Sequence, residues 1–177
     1  MYEATAPALA RAQSLIRSIP DHPEPGIVFR DVMPLLADGP ALHATAAALI
    51  APFADSFDAI AGVEARGFLL AGVAAGLCGC GLVPIRKAGK LPRPAGHQEY
   101  TLEYGSATIE MQTDLPAGSR ILLIDDVLAT GGTLRASREL LQRLGYVHAG
   151  TAVLFEIADL GGRARLADNT LHTVFSA

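Results

Sequence analysis

The stretch Ile121-Leu-Leu-Ile-Asp-Asp-Val-Leu-Ala-Thr-Gly-Gly-Thr133 constrains this chain's fold more than any other. Four consecutive aliphatic residues read as a short strand buried on both faces, the kind found inside parallel sheets. The strand delivers two carboxylates, then a turn of small residues, then a helix from Thr133 to Leu144 closed by Gly145. Gly131 and Gly132 let backbone N–H groups converge, Thr130 and Thr133 add hydroxyls, and the helix start presents its positive dipole end. Such a turn is a cradle for a phosphate monoester. It lacks the lysine that a Walker loop requires. Asp125 and Asp126, just ahead of Ala129 and Thr130, can accept hydrogen bonds from the vicinal hydroxyls of a phosphorylated sugar. They would also stabilise positive charge developing on the sugar ring. The plainer alternative is a helix-capping or metal-binding pair.

The rest of the chain repeats this alternation. The spacing predicts strands near Asp58 to Val63, over Leu82 to Ile85 and over Val147 to Phe155, with a helix from Gly67 to Leu77. Apolar residues at helical spacing predict a helix from Ala6 to Ile19 that stops at Pro20, and residues 41–53 read as another. Ala107 to Met111 alternates apolar and polar, as a half-exposed strand does. Strand–helix–strand repetition with short connections implies a mainly parallel sheet flanked by helices. The expectation is one α/β domain over residues 1–177, with the N-terminal and central pieces forming a small cap. Ligands in such folds bind beyond the carboxyl ends of the strands. That rule points to Glu64-Ala65-Arg66, to Arg86-Lys87, and to Asp125-Asp126 with the turn after them.

Charge distribution agrees. The net charge of −4 weighs against general nucleic-acid binding. Yet residues 65–98 contain no Asp or Glu while holding Arg66, Arg86, Lys87, Lys90 and Arg93, including both lysines of the chain. Unopposed positive charge in an acidic protein suits an anionic ligand, the alternative being a solvated basic loop. No apolar run is long enough to span a bilayer, and no secretory signal is visible. Cys78 and Cys80 read as two small buried thiols at a helix end, which makes a reducing cytoplasm the default location. The histidines form no triad or metal cluster and are expected at surface or edge positions.

The string 121–133 closely resembles the phosphoribosyl pyrophosphate signature of type I phosphoribosyltransferases. Four more segments resemble the adenine-specific branch of that family: Pro25-Gly-Ile-Val-Phe-Arg-Asp31, Gly62-Val-Glu-Ala-Arg-Gly-Phe68, Val83-Pro-Ile-Arg-Lys-Ala-Gly-Lys-Leu-Pro92 and Tyr100-Thr-Leu-Glu-Tyr-Gly105. With Asp159-Leu-Gly-Gly162 the likeness runs from about residue 12 to 166.

The resemblance implies transfer of a phosphoribosyl group to adenine, with substrate-bound Mg²⁺ and no metal-ligating side chain. Ribose phosphate would meet Asp125, Asp126, Ala129, Thr130, Gly131, Gly132 and Thr133. Pyrophosphate would meet Arg66, Arg86, Lys87 and Lys90, and adenine Val28, Phe29 and Arg30 in a base-binding part over about residues 1–35. Glu103, implied to approach the purine N7, and Tyr104 would be catalytic, in a mobile loop over about 88–110 that also holds His97. A homodimer is implied as well. The rivals are transfer to another purine base and a non-catalytic sensor of the sugar diphosphate. Orotate enzymes need a lysine-rich loop, and this chain has no lysine beyond Lys90.

Overall fold

The computed structural model describes residues 4–101 and 105–177. In chain order the elements are α1 (Ala6–Ser14), β1 (Arg17–Ile19), β2 (Phe29–Asp31), α2 (Met33–Ala37), α3 (Gly39–Ile50), β3 (Ala59–Val63), α4 (Arg66–Cys78) and β4 (Gly81–Lys87). Then come β5 (Gly96–Thr101), β6 (Ser106–Met111), β7 (Arg120–Leu128), α5 (Gly132–Arg143), β8 (Val147–Glu156), α6 (Gly162–Leu166) and β9 (Leu171–Ser176). Seven strands form one sheet in the order β5-β6-β4-β3-β7-β8-β9, and β1 and β2 make a separate antiparallel pair. The strands from β4 through β9 in that order are parallel neighbours, while β6 joins β4, and β5 joins β6, antiparallel.

The apolar run of β7 explains the layering. Leu122 and Ile124 enter a core shared with α1, α3 and α4, whereas Ile121 and Leu123 enter a second core shared with α5. A strand covered on both faces leaves no position for a polar side chain until it reaches its carboxyl end. From β3 the chain proceeds to β4 on one side, and β7 lies on the other. A crevice therefore opens beyond the ends of β3 and β7, at the point where the strand order reverses.

Several expectations are corrected. The first helix ends at Ser14, because the backbone of Arg17–Ile19 is taken up in pairing with Phe29–Asp31. Its Ala12 is fully buried in the core beside α3. Within the segment assigned to the loop over about 88–110, β6 matches the strand expected at Ala107–Met111, while its partner β5 was not foreseen; the two extend the main sheet. β6 is not half-exposed, since Ile109, Glu110 and Met111 are all buried. Cys78 is exposed and Cys80 partly so; both are free thiols, each raised above its usual pKa mainly by partial burial. His148 lies inside, its ring nitrogen 2.9 Å from the buried Thr151 hydroxyl, which in turn donates to Asp168. The last residues, which resemble nothing in particular, form β9 against β8. Among the described residues, no helix is long and apolar enough to cross a membrane.

At the opposite end of the sheet from the crevice, Asp58 fixes the register of β3 against β7. Its carboxylate accepts from the Arg120 backbone N–H at 2.8 Å and from the guanidinium at 2.6 Å. The Arg120 side chain, then its backbone N–H, lowers the Asp58 pKa from 3.8 to about 2. A carboxylate depressed in this way stabilises the fold above its unfolded pKa, and the contribution is lost as pH falls through the folded one. Asp58→Asn is thus expected to be less stable than wild type at pH 7 in urea titrations. The difference should shrink as pH is lowered from about 4 toward 2.

Candidate active site

β7 extends past its apolar run, so Asp125 and Asp126 belong to the strand itself and are both buried. Two carboxylates side by side at low solvent access cannot ionise cheaply. Burial, and then the neighbouring Asp126 charge, push Asp125 well above the usual carboxylate range, with Arg66 opposing. The Asp125 Oδ1 accepts the Asp126 backbone N–H at 2.8 Å. Arg66, the first residue of α4, places its Nε 2.5 Å from Asp126 Oδ2. The approach is off the hydrogen-bonding direction, so this buried oxygen is charge-paired yet accepts no hydrogen bond. Gly67 makes the arrangement feasible: a Cβ there would lie 2.9 Å from Asp125 Oδ1 and 3.0 Å from the Ile124 carbonyl.

The turn after β7 is held from behind. Gly131 has φ +82° and forms the left-handed residue before α5. A Cβ on Gly162 would sit 2.1 Å from the Ala129 carbonyl oxygen, and one on Gly131 would sit 2.9 Å from the Gly162 carbonyl. The start of α6 therefore rests directly on the Ala129–Thr133 turn. Ala129, Thr130, Gly131, Gly132 and Thr133 line a small pocket of about 70 Å³ together with Asp125. β5 leans over it, with the Thr133 hydroxyl 3.3 Å from the Tyr100 hydroxyl.

Of the larger clefts that adjoin this cradle, two hold residues that sequence assigned to pyrophosphate and adenine. The first, about 440 Å³, is lined by Arg66, Lys87, Tyr100, Asp125, Asp126 and Thr133, among others. Of the basic residues singled out by sequence, Arg66 and Lys87 face it. Arg86 is turned to Glu64 (3.3 Å) and to the Lys90 carbonyl (3.2 Å), above the Phe68 ring, while Lys90 is exposed. Glu64 also accepts the Lys87 backbone N–H at 3.0 Å. The Glu64–Ala65 peptide is cis.

The second cleft, about 780 Å³, lies between Val28 and Arg30 on one side and Ala129, Thr130, Ile157 and Leu160 on the other. Phe29 points elsewhere, its ring centroid 5.2 Å from the Arg66 guanidinium carbon and edge-on to His22. The Arg30 guanidinium stands 5.3 Å over the Phe155 ring and donates to Ser18. Glu103 and Tyr104 lie outside the described residues.

Sequence reasoning missed Tyr100 and Glu110. The first was quoted only as part of a motif, and the second lies on a strand whose alternation suggested exposure. Glu110 is instead buried, with its carboxylate on the Gly89, Lys90 and Leu91 backbone.

A phosphoribosyl transferase domain family matches residues 36–174. An adenine phosphoribosyltransferase of Renibacterium salmoninarum is 54% identical over 163 residues, covering 92% of this chain and 90% of the relative. This chain belongs to the adenine phosphoribosyltransferase family. The adenine phosphoribosyltransferase structure from Rhodothermus marinus superposes with a TM-score of 0.90 at 43% identity, covering 98% of this chain and all of that one. The Saccharomyces cerevisiae family member, solved with an imino-altritol bisphosphate and adenine, gives a TM-score of 0.89 at 32% identity, covering 96% and 99%.

The close contact behind the cradle gives a direct test. Gly162→Ala has no room for its methyl group, so α6 or the Ala129 turn must shift. Overpacking of this kind costs about 1–3 kcal/mol. At roughly 2–4 °C per kcal/mol for a chain of this size, thermal melts should show a clear loss. An unchanged melting temperature would mean that α6 does not hold the turn.

Proposed function

We propose that this protein joins adenine to 5-phosphoribosyl 1-pyrophosphate, forming AMP and pyrophosphate in purine salvage. The observation that carries the reading is the continuity of three subsites. The cradle shares Asp125 and Thr133 with the basic cleft, and Ala129 and Thr130 with the cleft at Val28 and Arg30. A sugar seated on the cradle thus reaches a cationic pocket on one side and an apolar, backbone-rich pocket on the other.

In this proposal Ala129–Thr133 grip the 5′-phosphate through backbone N–H groups and hydroxyls. Asp125 and Asp126 accept from the ribose hydroxyls. Arg66, Arg86, Lys87 and Lys90 supply the positive field for the diphosphate. Val28 and Arg30 contribute to the adenine site, while Phe29, turned to Arg66, does not line this cleft. The Val28 and Arg30 backbone groups read the base edge, and Ile157 and Leu160 offer the apolar wall.

The C1′–oxygen bond to the diphosphate breaks ahead of formation of the C1′–N9 bond. The ribose ring takes on positive charge, which the buried acid pair stabilises from a position set before reaction. The proton lost by adenine is managed by Glu103, and Tyr104 covers the reacting atoms. A magnesium ion would accompany the diphosphate, with no ligating side chain of the protein. It would be held mainly by substrate oxygens and water, as this ion prefers, and when bound it neutralises phosphate charge.

A homodimer belongs to the same proposal. The exposed apolar side chains of Leu69 (50%) and Met33 (54%) support a surface that a second copy could cover. A cytoplasmic location is supported by the two free thiols.

The test is pyrophosphate release with phosphoribosyl pyrophosphate and Mg²⁺, offering adenine, hypoxanthine, guanine and orotate separately. Release with adenine alone, accompanied by AMP, is expected. Release with another base would overturn the base-site assignment, and binding without release would favour a sensor. Glu103→Ala should lower turnover about 10²–10⁴-fold while changing substrate binding far less, as loss of a positioned acid–base group does. Unchanged turnover would remove Glu103 from the mechanism.

A further inference from the structure

The basic segment holds no acid of its own between residues 65 and 98, yet its turn is built around a carboxylate brought from elsewhere. Glu110 sits on β6, directly opposite Arg86 in the antiparallel register, with Ile109 opposite Lys87. Its side chain is 1% exposed. Oε1 accepts the Lys90 and Leu91 backbone N–H groups at 2.7 and 2.6 Å, and Oε2 accepts that of Gly89 at 3.0 Å. The next group outward is His97, whose Nδ1 stands 3.6 Å from Oε2.

We propose that Glu110 is a positioning residue for the diphosphate subsite: its buried carboxylate folds the 88–91 turn and thereby sets where Lys87 and Lys90 stand. This rests on the functional reading given above. Three backbone N–H groups turned inward need acceptors, and a single carboxylate satisfies all of them with charge-assisted bonds. Burial works against the ionised form, but the Leu91, Gly89 and Lys90 N–H groups, and then His97, bring its pKa below the usual carboxylate range. The turn is tied at its start by a second carboxylate. Glu64 takes the Lys87 N–H and the Arg86 guanidinium, and Arg86 reaches on to the Lys90 carbonyl. Lys87 and Lys90 carry the positive charge, while Glu64 and Glu110 keep their backbone in one shape. Preorganised donors lose less on binding than donors that must be ordered by the ligand.

The experiment compares wild type, Glu110→Gln and Glu110→Asp in calorimetric titrations with Mg²⁺-pyrophosphate and, separately, with AMP. Glutamine keeps the volume but turns an NH₂ donor toward one of the three N–H groups. Its pyrophosphate Kd is expected to rise about tenfold or more, the scale of one lost hydrogen bond to a charged group. Its AMP Kd should stay within about twofold, because the cradle and acid pair are untouched. Aspartate, which keeps the charge, should recover part of the pyrophosphate affinity. Equal losses for both ligands would show general destabilisation and overturn the proposal, as would unchanged pyrophosphate binding in both variants. Should Glu110→Gln fail to fold, the Glu110→Asp titrations decide on the same criterion. Wild type that binds neither ligand would sink the functional reading itself, an outcome distinct from any result with the variants.

Discussion

The burial of two adjacent carboxylates at the end of β7 is the constraint on which the rest of the structure depends. Asp125 and Asp126 are 8% and 7% exposed, next to four residues that have no exposure at all. Unpaired acids in such a place would be costly. The molecule offsets this with Arg66, with the Asp126 backbone N–H, and with the missing side chain of Gly67. Arg66 and Gly67 are consecutive at the start of α4, whereas the N–H belongs to β7 itself. The helix that follows β3 must begin beside the end of β7, which the parallel pairing of the two strands ensures. The cradle then needs its own support, and the chain after β8 returns to provide it through Gly162.

Electrostatic pairing divides the labour among the basic residues. Arg66 and Arg86 are each engaged with a carboxylate, whereas Lys87 faces the cleft and Lys90 is exposed. Planar guanidinium groups suit fixed ion pairs, and ammonium groups on flexible stems suit a ligand that comes and goes. Net charge around the basic cleft is therefore smaller than a count of Arg and Lys suggests. Of the acids that reduce it, Glu64 also shapes the backbone by taking the Lys87 N–H.

The acid pair and cradle were legible in the sequence because everything needed lies within thirteen consecutive residues. A buried strand, a diacid and a glycine turn each have a local signature. β3, α4, β4, β7, α5 and β8 were legible for the same reason, whereas β5 was not. What escaped was decided by contacts between distant segments. Periodicity could not show that Arg17–Ile19 leaves the helical pattern to pair with Phe29–Asp31. Nor could it show that Glu110, polar in an alternating run, points inward to three N–H groups some twenty residues earlier. Gly162 read as part of a resembling motif, but its contact with Ala129 is a matter of three-dimensional approach. His148 was misplaced because its partners, Thr151 and Asp168, are joined only when β9 docks.

The most direct test of the central claim is a crystal structure of the protein with AMP bound. The 5′-phosphate should lie on the Ala129–Thr133 turn, the ribose hydroxyls should donate to Asp125 and Asp126, and the base should occupy the cleft between Val28 and Leu160. A phosphate held by Lys87 and Lys90 instead, with the acid pair still facing Arg66 alone, would contradict the account.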